Sequence, residues 1–325
     1  MRVLILHAEI AADAPPDDQD TLRQAAAIAA ALTRRGHESV CGVFFPDESE
    51  MEALVARENP DVVFNLVESL WGRGLYAPLA PAILASLGVP YTGADAAAMG
   101  ACGDKILTKR ILEAASLPTP AWSEAPHWRG IDQGRWIVKS VAEDASLGLD
   151  DAAVVAGRKA VVARAQESAA RHGGRWFAER YVHGREFNVA VVERDGEPHL
   201  LPIGEMVFER WEARKPRIVG YAAKWQEATS EYHLTTRTYG WHERAPDLKH
   251  SLEELSRACW NLFGLTGYAR VDFRVDARGR PFILEVNPNP CLEPDAGVAA
   301  SCAQAGLPYD ELIEDIVRAA LRGRG

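Results

Sequence analysis

The sequence has no Cys-x-x-Cys pair. Its five cysteines, Cys41, Cys102, Cys259, Cys291 and Cys302, are scattered and odd in number, which argues against a disulfide framework or a zinc site and for a reducing compartment. No uninterrupted apolar run approaches the roughly 18 residues of a membrane span. Met1-Arg2 leads straight into a short apolar segment, so no signal peptide is expected and the expected location is cytoplasmic. No Gly-x-Gly-x-x-Gly follows that segment, which removes the dinucleotide fingerprint of a dehydrogenase. Positive charge is short as well: 36 Lys+Arg face 46 Asp+Glu, a net charge of -10. Neither nucleic acid nor an anionic membrane is therefore an expected partner, although a local basic pocket for phosphate remains compatible with that balance. Internal repeats and low-complexity tracts are also missing.

What is present is ordinary soluble material, 47% hydrophobic and 25% charged over 325 residues, enough for two or three lobes. Val3 to His7 reads as a buried strand, Ala8 to Asp18 as a loop, and Thr21 to Arg35 as a helix with Asp20 as N-cap and Leu22, Ala25, Ala29 and Leu32 on one face. Strands at 39–45, 62–66 and 89–92 alternate with helices at 50–58 and 77–87, the pattern of a parallel sheet with right-handed crossovers. Open sheets of this kind bind ligands beyond the C-terminal ends of their strands. Glu9 and Glu68 stand at such ends, where each could hold a substrate amine or cap a helix.

Further along, residues 104–116 form a helix with Lys105 in its first turn, where the helix dipole asks for an anionic partner or solvent. Lys139 lies within an apolar strand at 136–140, where an unpaired ammonium is costly and a phosphate would compensate it. Ala142 to Gly148, a loop of small residues, has the composition to fold over phosphates through its N–H groups and the Ser146 hydroxyl. Strands at 176–182 and 185–193 follow, with Asp195-Gly196 marking a hairpin. Residues 200–245 read as irregular and functional. Ser251 and Glu254 suggest a capping box opening a helix over 252–262, and 308–321 a C-terminal helix whose side of Leu312, Ile316, Ala319 and Ala320 docks on the body.

The most informative stretch is Tyr268 to Pro290. Arg270 to Val275 and Pro281 to Val286 read as a hairpin turning at Ala277-Arg278-Gly279. The period of two puts Asp272, Glu285 and Asn287 on one face. Two carboxylates and an amide with no Cys or His nearby suit a hard cation such as Mg²⁺. Acidic residues on a hairpin are often just a solvated face. Here, however, Phe282, Leu284 and Val286 make the second strand internal, and Pro288-Asn289-Pro290 fixes the backbone. Arg270 shares the face, and its permanent charge suits an oxyanion. Cys291 reads as an apolar filler.

Five segments resemble the ATP-grasp superfamily, specifically its D-alanine-D-alanine ligase-like carboxylate-amine ligases: VPYTGADAAAMGACGDKILTKRIL, WIVKSVAEDASLG, ERYVHGREFNV, GYAAKW and RVDFRVDARGRPFILEVNPNP, in the family's order. The resemblance implies an α/β fold, α+β in its C-terminal lobes, with an N-terminal parallel-sheet domain over 1–98, a central lobe over 99–183 and a C-terminal lobe over 184–325. It implies that Lys105 and Lys139 contact ATP phosphates, that Glu143 to Gly148 cover them, and that Glu179, Tyr181 and Val182 meet adenine. By the same resemblance Glu186 holds the ribose, Lys224 reaches in from a mobile loop, Asp272, Glu285 and Asn287 bind one or two Mg²⁺ (or Mn²⁺) ions, and Arg270 stabilises a tetrahedral oxyanion. The implied activity is amide formation through an acyl phosphate, with release of ADP and phosphate. Homodimers are common in such ligases.

The departures cluster. Ala145 and Ser146 stand where the family has two serines, Trp225 where it has a lid tyrosine, Glu68-Ser69 where it has His-Gly, and Asn289 to Pro294 replaces the loop that grips the second alanine's carboxylate. They point to the same reaction on other amino-acid-like or peptide-like small molecules, with Glu9 and Glu68 as binders of a cationic or amino group and Trp225 as a wall. A D-alanine-specific ligase and an ATP-binding regulator without chemistry are the alternatives.

Overall fold

The computed structural model describes residues 1–11 and 13–322, without the side chain of Asp17. Three sheets organise the chain. The first is parallel and three-stranded, in the order β2-β1-β3, built from β1 (Arg2–His7), α1 (Pro16–Arg34), β2 (Glu38–Val43), α2 (Glu48–Glu58) and β3 (Val62–Asn65). Val3, Leu4, Ile5 and Leu6 are all fully buried, as expected of a strand covered on both faces. The strand expected at 89–92 reduces to one parallel bridge between Val63 and Tyr91. The first helix begins at Pro16, whose fixed φ suits a first turn. Asp20 is thus not its cap but a buried residue inside it, and Leu22 is exposed while Ile28 and Ala31 join Ala25 and Leu32 in the core. Ala12, within the expected 8–18 loop, lies outside the described residues.

After α3 (Leu79–Ser86), α4 (Ala96–Gly103) and α5 (Lys105–Ala114), the last capped by Asp104, comes a four-stranded antiparallel sheet. Its members are β4 (Trp122–Glu124), β5 (Arg135–Ser140), β6 (Val154–Ala156) and β7 (Trp176–Arg180), in the order β4-β7-β5-β6, with α6 (Gly157–His172) on one face. The strand at 176 stops at Arg180, so Tyr181 and Val182 form the link to the next sheet rather than part of a strand.

That third sheet holds β8 (Gly184–Arg194), β9 (Glu197–Leu200), β10 (Gly204–Phe208), β11 (Thr235–Thr238), β12 (Tyr268–Asp276) and β13 (Pro281–Asn287). Residues 200–245, expected to be irregular, supply two of these strands and the short helices α7 (Tyr221–Trp225) and α8 (Ser230–Leu234). Helix α9 ends at Phe263 and starts at Pro246, six residues earlier than the capping-box reading required; Ser251 instead bonds back to Asp247 O at 3.0 Å. Then come α10 (Gly297–Gln304) and α11 (Tyr309–Arg322).

The Asp272 strand and the Glu285 strand pair antiparallel as expected, with one departure. Asp272 faces Glu285 and Phe273 faces Ile283, so Leu284 is the extra residue of a β-bulge. The bulge resets the alternation. Ile283 and Val286 are internal, whereas Phe282 and Leu284 are only half-buried. One core cluster joins β1, β3 and α1 to Ala190, Val192 and Tyr268 of the third sheet and to Leu312, Ile313, Ile316 and Val317 of α11.

Candidate active site

A cavity of about 430 Å³ lies where the sheets meet, and its walls include Glu68, Lys105, Lys139, Ser146, Lys224, Trp225, Arg270, Asp272, Glu285 and Asn287. Tertiary folding therefore brings residues from the whole length of the chain to one space.

The hairpin supplies one wall. Arg270 holds Asp272 with two hydrogen bonds of 2.8 Å, Nε to Oδ1 and Nη2 to Oδ2, and Asn188 adds a third to Oδ1 at 2.7 Å. Burial works to lower the pKa of Arg270, but Asp272 and Glu285 outweigh it and raise it. Asp272, Glu285 and Asn287 offer only hard oxygen donors, and they fit a divalent cation. Asn188, on the neighbouring strand, was missed by sequence reading, because the partner of a strand is not visible from that strand alone.

Opposite stands the basic wall. Lys105 Nζ donates to Glu143 O at 3.0 Å and to Asp144 Oδ1 at 2.5 Å. Burial is outweighed by Asp144 and Glu285, so its pKa is raised. Lys139 pairs with Glu179 rather than waiting for an anion, and Lys109, one helical turn after Lys105, pairs with the other Glu179 oxygen at 2.6 Å. Burial of Glu179 is outweighed by these two ammonium groups, and its pKa falls to about 2. Its carboxylate is committed to the lysines, so it meets a nucleotide at most as one wall of the site.

Glu179, Tyr181, Val182 and Glu186 line a second, narrow cleft of about 70 Å³ together with Ile137, Leu149, Ile218 and Leu284. That is far below the roughly 300 Å³ at which small-molecule sites begin. Arg274, on the same face as Arg270 and Asp272 and readable from the period of two, lies across it: Nε stands 3.2 Å from Glu186 Oε2, Nη1 donates to Gly184 O at 2.9 Å and Nη2 to Arg217 O. Burial raises the Glu186 pKa despite Arg274.

The loop 142–149 is clamped from both sides. Glu143 accepts from Gly74 N at 3.0 Å; a Cβ on Gly74 would stand 2.6 Å from Ala142 O. On the other side Ser146 Oγ donates to Val219 O at 2.8 Å, Trp225 Nε1 to Ala145 O at 3.0 Å and Tyr221 N to Leu149 O at 3.0 Å. Ala145 and Ser146 both take left-handed φ, 54° and 64°. Lys224, an exposed residue, lines the cavity mouth, where desolvation and Arg270 lower its pKa.

At the far end the cavity is acidic. Glu68 opens onto the cavity as an exposed residue, and desolvation of its carboxylate by the surrounding walls pushes its pKa up to about 7. Gln24, which sequence reading missed, donates to both Glu68 Oε1 and Asp20 Oδ2 at 3.2 Å. Asp20 also accepts from Cys291 Sγ at 3.0 Å. Burial and Asp20 lift Glu293 to about 7. Glu9 is not in this cavity; it is exposed and lines an adjacent one of about 410 Å³ beside Trp71 and Phe45.

The fold is shared with solved ligases. The D-alanine–D-alanine ligase of Bacillus anthracis complexed with ATP superposes with a TM-score of 0.75 at 22% identity, covering 100% of this chain and 98% of that one. The ligase of Coxiella burnetii gives 0.71 at 18%, covering 99% and 95%. Fold and sequence likeness together define an ATP-grasp ligase that forms a C–N bond. The family description "D-ala D-ala ligase C-terminus" matches residues 135–318. The D-alanine–D-alanine ligase of Halorhodospira halophila is 32% identical over 307 residues, 93% of this chain and 91% of that protein. An uncharacterized protein of Sinorhizobium fredii is 29% identical over 320 residues, 95% and 90% of the two chains. The chain belongs to the D-alanine–D-alanine ligase family. It is an ATP-dependent carboxylate-amine ligase, of a family that uses ATP and a divalent metal.

Proposed function

We propose that this ligase joins amino acids or amino-acid-like small molecules other than two D-alanines. A carboxylate oxygen attacks the γ-phosphorus of ATP and ADP leaves; an amine then attacks the carbonyl carbon of the acyl phosphate, phosphate leaves, and the nitrogen gives up a proton. Phosphoryl transfer needs positioning and charge neutralisation. Lys105, Lys139 and Lys224 supply the cationic side, with Glu143 to Gly148 folded over the phosphates and Ser146 as a donor there. The nucleotide base is read as lying along Tyr181 and Val182, with Glu179 behind it and Glu186 at the ribose once Arg274 yields. Asp272, Glu285 and Asn287 would hold one or two Mg²⁺ ions (or Mn²⁺), which when bound neutralise the phosphate charge. Arg270 stabilises the oxyanion. Trp225 closes one wall, and water is kept from the acyl phosphate by the clamped loop. Three lobes, 1–98, 99–183 and 184–325, a homodimer and a cytoplasmic location complete the reading.

The observation that carries the substrate assignment is the acidic end. Asp20 and Glu68 line it; Arg23 bridges Asp20 and Glu293 at 2.9 and 2.8 Å, which leaves Glu68, where the resembled family has histidine, to hold the ammonium or a second cationic group of the donor, while Glu9 marks the adjoining space. A screen of acid and amine pairs with ATP and Mg²⁺, read by mass spectrometry for condensed product and by phosphate release, tests this. D-alanine alone giving the fastest turnover would overturn the substrate assignment; no phosphate release with any pair would overturn the ligase reading.

A further inference from the structure

A second cavity, of about 410 Å³, adjoins the one at the hairpin. The two share Ala8, Ile10, Pro15, Asp18, Ser69 and Gly72 as walls, so that a molecule seated at Glu68 has room to extend from one into the other. This annex lies beyond the C-terminal ends of all three strands of the parallel sheet, where open α/β sheets take their ligands. Glu9 follows β1, Phe45 follows β2 and Trp71 follows β3.

The walls of the annex are aromatic and acidic. Trp71 is 72% exposed and Phe45 48%, whereas the neighbouring Phe44 is buried, so the chain leaving β2 puts one ring in the core and offers the next to the annex. Trp71 has a left-handed backbone, φ 54°, in a tight turn closed by Leu70 N to Arg73 O at 3.1 Å and Arg73 N to Leu70 O at 3.0 Å. A bulky residue resists that conformation, and residues held in it gather at ligand clamps. Tyr76 packs on the ring in a T-shaped arrangement, centroids 5.6 Å apart. Glu9, Asp13 and Asp18 line the same space, and among the described residues no Lys, Arg or His does. Glu9 and Asp13 are exposed and, among the described residues, make no hydrogen bond or ion pair. Ring faces attract a cation through their quadrupole and carboxylates through their charge, while the rings also suit an apolar stem.

Building on the ligase reading, we propose that the annex takes the side chain of the carboxylate donor, and that this side chain is long and cationic, of the lysine or arginine type, with its stem between Phe45 and Trp71 and its charge at Glu9. Glu68 then holds the α-ammonium of the same molecule. A methyl side chain reaches none of the annex groups, which gives the preference for a donor other than alanine its physical ground.

The test offers the full chain ATP, Mg²⁺ and alanine, norleucine, citrulline, lysine and arginine of both hands as donors, each with the common amino acids as acceptors. Fragmentation of the product in the mass spectrometer shows which residue gave its carboxyl, and phosphate release gives KM. Lysine or arginine should act as donor with kcat/KM about tenfold or more above norleucine and citrulline, which have similar length without the charge. Trp71→Gly, which suits the left-handed backbone, should raise KM for the cationic donor about tenfold, and Glu9→Gln about threefold to tenfold, as loss of a cation–π contact or an exposed ion pair does, with KM for ATP unchanged. Phe45→Ala serves if the Trp71 variant does not fold. Norleucine or alanine used as well as the cationic donors, a cationic residue found only on the amine side of the product, or variants that leave the donor KM where it was would overturn the proposal and leave the ligase reading standing. No phosphate release with any pair would overturn both.

Discussion

At the scale of single residues the site is a set of charges held by one another. Replacing Asp272 or Glu285 by Ala should cut the rate of ATP-dependent phosphate release by about 10² or more, as loss of a transition-state charge partner does; chelating the divalent metal should abolish release in the wild type. Glu179 is the structural counterpart. Its side chain is 2% exposed, and that of Lys109 is 1%, so Glu179→Gln leaves two ammonium groups without a countercharge and should cost about 3–5 kcal/mol, read by urea unfolding. Because its pKa of about 2 lies below the ordinary 4.5, that stabilisation is full above 4.5 and drains away as pH falls toward 2; the variant should lack this part of the acid titration. Glu68 behaves oppositely. With its pKa near 7 it carries its proton in mildly acidic solution, so KM for an ammonium-bearing donor should fall as pH rises through 7, and Glu68→Gln should flatten that profile.

Elements add what residues alone do not: closure. The phosphate loop touches its two neighbours through glycines, and at Gly220 a Cβ would stand 2.5 Å from Leu149 O, a backbone atom that cannot swing aside. Gly220→Ala should hold the 218–225 segment off the loop and lower kcat about a hundredfold, the size of a misplacement of roughly 1 Å, with little change in the melting temperature. The same variant should make the segment more open to limited proteolysis in the presence of ATP and Mg²⁺. The closed segment also explains why the cleft proposed for the nucleotide is narrow. Tyr181 OH donates to Arg217 O at 3.2 Å and accepts from Arg217 N at 2.9 Å, so that entry for a base requires this strap to lift.

For the molecule as a whole, the C-terminal helix joins the N-terminal sheet to the site. Ile316 is fully buried in the core shared by α1, β3 and β8, and Arg194 bonds Glu311 at 2.7 Å and Asp315 at 2.8 Å across the same seam. Ile316→Ala should cost about 2–5 kcal/mol and lower the midpoint of the entire unfolding transition rather than that of one sheet, as followed by urea titration with two probes.

The sequence by itself determined the alternation of strands and helices at the N-terminus, the hairpin that carries Asp272, Glu285 and Asn287, and the lysines and small-residue loop that meet at the cavity, because period, turn chemistry and charge in an apolar strand are local signals. Helix starts were misread where proline at 16 and 246 opened them early and Asp20 and Ser251 merely looked like caps. The bulge at Leu284, the clamp of Glu179 by two lysines and the Gln24 bridge belong to the tertiary structure alone. Each depends on which strand or helix comes to lie alongside, and pairing across tens of residues is set by the packing of whole faces, not by any property of the segments that meet.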